Sequence, residues 1–406
     1  MRVPEGAPVS GWLKWQRKFP MLKSVSRPPL GTVAVITTVI ITVFGIYAVG
    51  VEPKIHNAYY KESQQEKRAL INKSREELAQ GLRPWSDPFD RNDDEVNGQV
   101  EEDEETGFER NLYNLDEYEL DTPQLDLIQL RVDNIPDLTR FAELKALSFR
   151  QNLLTEINGN LLPLTGLTEL DLNDNQILEI KNFHTLVNLQ TLDLSYNRIK
   201  KIEGLSTLVN VTRLYLVHNK IEKIEGIETM TKLKFLELGD NKIKEIENVS
   251  ALTNLEQLYI GKNKIKKIEG IENLKKLRVL SLPANKLTSV ENLEPFVELE
   301  ELHLSDQGLT SLDGIQHLKK LVIIDAANNE INNLDAVVGL DKLEDLWIND
   351  NKIDSWKEVE KLAKLPALRT IYMEHNPIYK KAGDEYRRKM ILILPQVTQI
   401  DATICR

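Results

Sequence analysis

Acidic and aromatic residues recur through residues 148–372, mostly at steps of 22 positions, and these are the side chains that could do chemistry. Four are carboxylates and four are large aromatics. Carboxylates pair with Lys and Arg, and exposed Trp and Tyr give large contact areas that lose water on binding. The pattern favours recognition of another protein. The recurring positions are Ser148, Asp171, Asp193, Tyr215, Glu237, Tyr259, Ser281, His303, Asp325, Trp347 and Tyr372.

The remaining reactive residues give no sign of catalysis. The histidines form no metal-ligand spacing, and the chain has no glycine-rich phosphate loop and no nucleophile motif. The single cysteine, Cys405, excludes a disulfide framework and favours a reducing compartment. We therefore expect a non-enzymatic protein with no cofactor, no metal and no small-molecule substrate. The histidines are His56, His184, His218, His303, His317 and His375.

The recurring positions belong to a repeat that is clearest in residues 189–208, LQTLDLSYNRIKKIEGLSTL. Its apolar residues and its asparagine follow the order L-x-x-L-x-L-x-x-N-x-I-x-x-I-x-x-L-x-x-L, which is the leucine-rich repeat signature. The asparagine recurs every 22 residues, after a first step of 23 and before a last step of 25. Its positions, one of them filled by Gln307, are Asn152, Asn175, Asn197, Asn219, Asn241, Asn263, Asn285, Gln307, Asn329, Asn351 and Asn376.

The repeat predicts an α/β fold, a leucine-rich repeat solenoid with parallel strands on its concave face. In each L-x-L strand the two leucines point into the core and the residue between them points outward. The asparagine amide can satisfy backbone groups in the turn after the strand. About ten residues per repeat remain, so we expect short 3₁₀ or irregular turns on the convex side. The recurring acidic and aromatic positions then form a binding surface on the concave face. The alternative is that their long side chains only shield the backbone and that aromatic residues are present because they favour strands.

The first 51 residues predict a membrane anchor. Residues 1–29 are basic, and residues 30–51 then carry no charge. Twenty-two residues are enough for a helix to span a bilayer. A cleaved signal peptide would have a shorter apolar region nearer the terminus, and a pair of core strands would alternate. We predict a transmembrane helix at 30–51, whose topology is weakly specified because basic residues flank it on both sides.

Residues 52–91 are polar, mixed in charge and compatible with a surface helix. The single span, the Tyr59-Tyr60-Lys61 segment and the closing Trp85-Ser86-Asp87-Pro88-Phe89 resemble a family of very small single-pass mitochondrial inner-membrane proteins. Members of that family assist cytochrome c oxidase assembly. The resemblance covers residues 30–91 and implies a mitochondrial inner-membrane location.

An acidic stretch connects this region to the repeats. Fifteen acids between Asp87 and Asp121 oppose only Arg91 and Arg110, so the stretch holds more than the whole net charge of −11. Such a run repels itself, and we predict a disordered acidic linker at residues 92–121. An acidic docking tail for a basic partner is the alternative.

The repeat domain is predicted to run from residue 122 to residue 406, with a cap at each end. Residues 125–138 are a degenerate first repeat. After Tyr372, residues 376–395 predict a helix and an extended segment folded over the last repeat, where they would cover a strand edge.

Two other rows of charge suggest structural roles. A basic residue follows the asparagine in five repeats, and an acid follows the last Ile or Val of the same repeats. The acids are expected at the start of each convex turn, where free backbone N–H groups and the local dipole favour negative charge. The basic row could contact phosphate, but acids balance it and no aromatics interleave, so we expect no nucleic-acid binding. The basic row is Arg198, Lys220, Lys242, Lys264 and Lys286; the acidic row is Glu203, Glu225, Glu247, Glu269 and Glu291.

The repeats resemble the protein phosphatase 1 regulatory subunit 7 family. The residues that carry the resemblance are the I-x-x-I-E-[GN] segments, FLELGDN at 235–241, LWINDN at 346–351 and the YRRKM ending at 386–390. The resemblance runs from about residue 122 to the C-terminus. It implies a non-enzymatic partner of the phosphatase 1 catalytic subunit that binds through its concave face. The implied contact residues are Asp193, Tyr215, Glu237, Tyr259, Asp325, Asp345, Trp347 and Tyr372, of which Tyr215 and Tyr259 replace Phe and Asp345 replaces Glu.

The two resemblances imply different compartments. A phosphatase regulator of this family belongs in nucleus and cytoplasm, whereas residues 30–51 imply a membrane. The chain is either a membrane-tethered regulator or the product of two adjacent genes joined in one sequence, with the junction near residue 91. The alternative function is a membrane-anchored mitochondrial assembly or scaffold protein whose repeats recruit another partner.

Overall fold

The computed structural model describes residues 110–405. The predicted basic segment 1–29, transmembrane helix 30–51, polar segment 52–91 and linker residues 92–109 all lie outside the described residues. Within residues 110–405, no helix is both long enough and apolar enough to cross a bilayer.

The strands of residues 110–405 form one sheet in which spatial order follows chain order. Strands β1 to β13 run parallel, and β14 pairs antiparallel with β13. The sequence prediction of stacked parallel strands is therefore confirmed. The bounds are β1 Gln124–Asp126, β2 Ala146–Ser148, β3 Glu169–Asp171, β4 Thr191–Asp193, β5 Arg213–Tyr215, β6 Phe235–Glu237, β7 Gln257–Tyr259, β8 Val279–Ser281, β9 Glu301–His303, β10 Ile323–Asp325, β11 Asp345–Trp347, β12 Thr370–Tyr372, β13 Gln399–Ile400 and β14 Thr403–Ile404.

Alternation along each strand places its leucines in one continuous core. Leu192 and Leu194 are fully buried, while Asp193 between them is half-buried on the outer face. The isoleucines after each asparagine, such as Ile199 and Ile202, are buried in the same core. Each repeat thus shields the apolar side chains of its neighbours, as a one-dimensional array requires.

The asparagine side chains bind each repeat to the next. Asn219 accepts a hydrogen bond from the Ile199 N–H at 3.0 Å and donates to the Leu194 and Leu216 carbonyls at 3.0 and 3.2 Å. Gln307 keeps the two bonds to the preceding repeat, accepting from the Leu287 N–H and donating to the Leu282 carbonyl. The buried amides therefore satisfy backbone groups in two repeats at once.

The glycine or asparagine of the I-x-x-I-E-[GN] segments also has a physical cause. Gly270 has φ +76°, and a Cβ there would lie 2.2 Å from the Ile246 carbonyl oxygen of the preceding repeat. Asn248 takes the same position with φ 58° and donates from Nδ2 to the Ile224 carbonyl at 2.8 Å. Both residues tolerate the left-handed conformation that this turn requires.

The convex side consists mostly of irregular turns and single 3₁₀ turns, with one exception. The 3₁₀ turns there are Gly159–Leu161 and Asp335–Val337. The last repeat instead carries an α-helix, α1, at Trp356–Leu362, with Ser355 accepting from the Lys357 N–H as N-cap. Its longer 25-residue step gives room for two helical turns, which corrects the expectation of turns alone.

Residues 110–121 are ordered against the first repeat, which corrects the predicted end of the linker. The Leu112 N–H donates to the Leu130 carbonyl at 2.8 Å, and Asp116 pairs with Arg140 at 2.6 Å. A 3₁₀ turn occupies Leu115–Glu117, and Tyr113 and Tyr118 pack against the core. The count of acids failed to predict this because it ignores the tyrosines, which are half-buried against the core despite the charge around them.

Two helices and two short strands follow β12. Helices α2, Pro377–Ala382, and α3, Tyr386–Ile393, are joined by a 3₁₀ turn at Gly383–Glu385. Strand β13 pairs with β12, and the Arg387 guanidinium donates to carbonyls of both β13 and β14. The polypeptide after β12 therefore covers the edge that this strand would otherwise expose.

We expect Asn263→Ala to destabilise the array by about 2 kcal/mol or more. The substitution leaves the buried Ile243 N–H without an acceptor, at roughly 1–3 kcal/mol for an unsatisfied buried group. It also removes one of the two amides that donate to the Leu238 carbonyl, which keeps its bond from Asn241. Chemical denaturation followed by circular dichroism measures the loss. Asn210→Ala, which removes two exposed hydrogen bonds, one to the Val187 carbonyl and one from Lys232 Nζ, is the control and should cost far less. Equal losses would show that the buried network is not the main constraint.

Ending the chain after residue 370 should cause aggregation. The truncation removes most of β12 together with α2, α3, β13 and β14, and leaves the edge of β11 with unpaired backbone groups. Size-exclusion chromatography and thermal melting compare the truncated and full chains. A truncated protein that stays monomeric and melts at the same temperature would contradict the role given to residues 371–405.

Candidate protein-binding surface

The sheet places the recurring residues in one row. Ladder pairing joins Asp193 to Tyr215, Tyr215 to Glu237 and so on without a slip in register. We call this the first row, and the outward residues two positions earlier on each strand the second row; together they form the concave face. The first row is Asp126, Ser148, Asp171, Asp193, Tyr215, Glu237, Tyr259, Ser281, His303, Asp325, Trp347 and Tyr372.

All eight residues implied by the family resemblance lie on this face. Seven are in the first row, and Asp345 is in the second row on β11, two residues before Trp347. Shallow depressions run over the face across β1 to β5 and across β3 to β7. The structure thus brings residues 179 positions apart in sequence onto one surface, which spans nine strands from Asp193 to Tyr372.

An aromatic cluster covers β5 to β7. The Phe235 ring lies 4.8 Å from the Tyr215 ring and 5.3 Å from the Tyr259 ring, measured between centroids. Phe235 was not among the predicted site residues, which all belong to the first row apart from Asp345. Applying the two-residue period of a strand to Glu237 would have placed Phe235 on the same face.

A second aromatic pair lies on β11 and β12. The Trp347 and Tyr372 rings meet edge-on with centroids 5.7 Å apart, and 41% of Trp347 is exposed. The Tyr372 hydroxyl accepts a hydrogen bond from Gln399 Nε2 of β13 at 2.8 Å. The residues after β12 therefore help to position this pair.

Carboxylates beside the first cluster are in an unfavourable environment. Burial, together with the neighbouring Asp193 charge, raises the pKa of Glu237. Burial also raises the pKa of Asp171, and its hydrogen bond from the Asn173 N–H only partly offsets this. A positive group from a partner would relieve both effects, because it restores the charge compensation that water supplies elsewhere.

His303 lies between the two aromatic regions and is held by two acids. Its Nε2 is 3.4 Å from Glu301 and its Nδ1 is 3.9 Å from Asp325. Asp325, with Glu301 assisting, raises the pKa of His303. The two carboxylates therefore favour the positively charged form of this imidazole.

The described residues offer no metal site. Across residues 110–405, no group of three or more His, Cys, Asp or Glu side chains is arranged to hold a metal ion. The concave face is suited to contact with another protein. Its aromatic rings can lose water against an apolar surface, and its carboxylates can pair with Lys or Arg side chains.

Family models for the repeat match most of the array. A model described as leucine-rich repeats in two copies matches five overlapping windows over residues 165–295. A second, described as a leucine-rich repeat, matches residues 300–404. The described part of the chain is a leucine-rich repeat solenoid.

Two solved structures share the solenoid fold. An internalin from Listeria monocytogenes aligns with a TM-score of 0.57 at 22% identity, over 70% of this chain and 87% of that one. A leucine-rich repeat protein of Leptospira interrogans aligns with a TM-score of 0.56 at 25% identity, over 67% of this chain and 76% of that one. The internalin likeness supports the fold alone.

Two curated relatives carry names that bear on function. A segment of 73 residues is 51% identical to a Caenorhabditis elegans protein named protein phosphatase 1 regulatory subunit SDS22 homolog, over 18% of this chain and 22% of that protein. A segment of 41 residues is 56% identical to protein phosphatase 1 regulatory subunit 7 of Xenopus tropicalis, over 10% of this chain and 11% of that protein. The matches thus span less than a quarter of these relatives.

The comparisons agree with the expectation that the solenoid is not an enzyme, since the relatives are named as regulatory subunits. The resemblance of residues 30–91 to a mitochondrial protein finds no support among them. The membrane anchor and the assembly-factor alternative, which depend on those residues, stay predictions.

We expect Glu237→Gln to raise the melting temperature at pH 7. A carboxyl whose pKa is raised by folding favours the protonated state, so its ionised form destabilises the folded protein above that pKa. The advantage of the amide should shrink as the pH falls through the raised pKa. Thermal melts from pH 7 to pH 4 measure it. The matched control is Glu222→Gln, an exposed carboxylate in the preceding repeat, which should change little. A lower melting temperature for Glu237→Gln at pH 7 would contradict the reasoning.

Proposed function

We propose that the protein is a non-catalytic regulatory subunit that binds the protein phosphatase 1 catalytic subunit through the concave face. The observation that carries the proposal is the single aligned face on which all eight family-implied residues meet. The curated relatives are named as phosphatase 1 regulatory subunits, which supplies the partner. Binding through this face would control the activity, maturation or targeting of the enzyme in nucleus and cytoplasm.

The chemistry of the face specifies what the partner must present. Over β1 to β12 the two rows hold eight carboxylates against one arginine, Arg213. The aromatic groups need apolar surface, and the carboxylates around them need Lys or Arg. A partner patch with an apolar centre and a basic rim would therefore fit, in the usual arrangement of protein interfaces.

Trp347 is the residue expected to contribute most. Its side chain is exposed although it is large and apolar. Its ring contacts the Tyr372 ring edge-on, and Asp325 is its register partner on the neighbouring strand β10. Trp and Tyr at the centre of an interface commonly cost about 2 kcal/mol or more when truncated. Leaving such a ring bare in the free protein is unfavourable, so covering it is a gain on binding.

The test compares Trp347→Ala with Leu346→Ala. Trp347→Ala should weaken binding to the purified phosphatase catalytic subunit by about thirtyfold or more in isothermal titration, at about 1.4 kcal/mol per factor of ten. Its melting temperature should barely move, because the ring points away from the core. Leu346 is fully buried, and Leu346→Ala should lose roughly 2–5 kcal/mol of stability.

The comparison separates contact from folding. If Trp347→Ala unfolds the solenoid, its ring is part of the structural core. If Trp347→Ala binds the phosphatase as tightly as the unchanged chain, the concave face is not the interface. A full chain that shows no heat of binding to the catalytic subunit would remove the proposal altogether.

A further inference from the structure

A band of lysines lies outside the concave face, on the backbone segment that leaves each strand. Four lysines directly follow the repeat asparagines, and three others lie two or three positions further along. Several of them line one depression together with Glu245 and Glu269. We call this set the lysine band: Lys220, Lys242, Lys244, Lys264, Lys266, Lys267 and Lys286.

Backbone pairing keeps the band in register. The Lys242 N–H donates to the Ile221 carbonyl, and the Lys264 N–H donates to the Ile243 carbonyl, both at 2.8 Å. Alternation then sends Ile243 and Ile265 into the core and the lysines outward. Successive lysines stand about 4.8 Å apart, the usual spacing of stacked strands, so Lys220 and Lys286 are separated by roughly 15 Å.

The positive charges in the band are not compensated within the described structure. Nearby Lys201 and Lys223 pair with Glu203 and Glu247, at 3.3 and 3.6 Å. Within residues 110–405, no carboxylate stands at ion-pair distance from any lysine of the band. Six of the seven side chains are exposed, and Lys242 is half-buried.

The basic character is concentrated in residues 198–286. At the positions that correspond to Lys264, Lys266 and Lys267, Arg198, Lys200 and Lys201 continue the basic pattern one repeat before the band, whereas two repeats further out carry uncharged or acidic residues. They are Gln176, Leu178 and Glu179 in an early repeat and Glu330, Asn332 and Asn333 in a late one. A face that only needed solvation would show no such local concentration of one sign of charge.

We infer that the lysine band is a second docking surface, which takes an extended acidic segment of a partner protein. A strand rises about 3.3 Å per residue, so roughly five extended residues cover the 15 Å of the band. Alternate Glu or Asp side chains would face the lysines, and the other side chains would face solvent. The surface is separate from the concave face and can be occupied while that face holds its own partner.

The composition of the band favours acidic protein over nucleic acid. Single-stranded nucleic acid is bound by aromatic platforms together with positive charge, and the residues lining the depression include no aromatic side chain. Glu222, Glu245 and Glu269 lie among the lysines. They would repel a backbone with a phosphate at every nucleotide, whereas a peptide with acids at alternate positions can place its uncharged residues over them. The same carboxylates can accept hydrogen bonds from peptide N–H groups.

The experiment measures fluorescence anisotropy of a labelled peptide in which Glu alternates with Ser, titrated with the full chain at low salt. The band variant combines Lys264→Glu, Lys266→Glu and Lys267→Glu. The control variant carries the same charge change at exposed lysines in the turns before β6, β8 and β11, at Lys232, Lys275 and Lys342. An oligodeoxythymidine of equal charge is titrated in parallel.

We expect the peptide to bind, and to bind more weakly as salt is added. The band variant should lose about tenfold or more in affinity and the control variant less than about twofold. Trp347→Ala should leave peptide binding unchanged, so a failure here and a failure of the phosphatase proposal are distinguishable. Absence of binding at low salt, equal losses in both charge variants, or tighter binding of the oligodeoxythymidine would each overturn the inference.

Discussion

The buried asparagine amide is the interaction on which the structure depends. The repeat asparagine accepts from a backbone N–H of the preceding repeat and donates to carbonyls of both repeats, as Asn219 does. Buried amides that are fully paired fix geometry, because any slip would leave several polar groups unsatisfied. The strands therefore stack without a change of register from β1 to β12. That constant register is what aligns the concave face.

Much of the solenoid and its binding face could be predicted from the sequence, because both follow from a fixed period. Through their spacing alone, Leu192 indicates a strand, Asn197 the turn that follows it, and Ile199 a core position after the turn. Departures from the period were not predictable in the same way. Helix α1 arises where the last repeat is longer, and residues 110–121 pack through apolar side chains that the acidic composition concealed. Phe235 was missed because it lies in the second row, whereas the recurring positions in the sequence were those of the first row.

Charge is distributed so that the free protein is not at its lowest electrostatic energy. Asp171 and Glu237 are half-buried near other acids, and folding raises the pKa of each. On the other surface, the lysines of the band stand in line without partners. Neither arrangement contributes to the stability of the isolated solenoid, whereas both are relieved by a partner of opposite charge. The core can tolerate this cost because every repeat adds buried Leu and Ile side chains.

The two aromatic regions of the concave face lie on strands whose separation is set by the number of repeats between them. Tyr259 on β7 and Trp347 on β11 are four strand steps apart, about 19 Å at the usual spacing. The distance between the two aromatic regions can therefore change only in steps of one whole repeat. A gene duplication that inserted one repeat between them would keep every asparagine bond and every contact residue. It would nevertheless move Tyr259 and Trp347 apart by one strand spacing, about 4.8 Å. A lineage could in this way exchange one partner for another without altering the existing contact side chains.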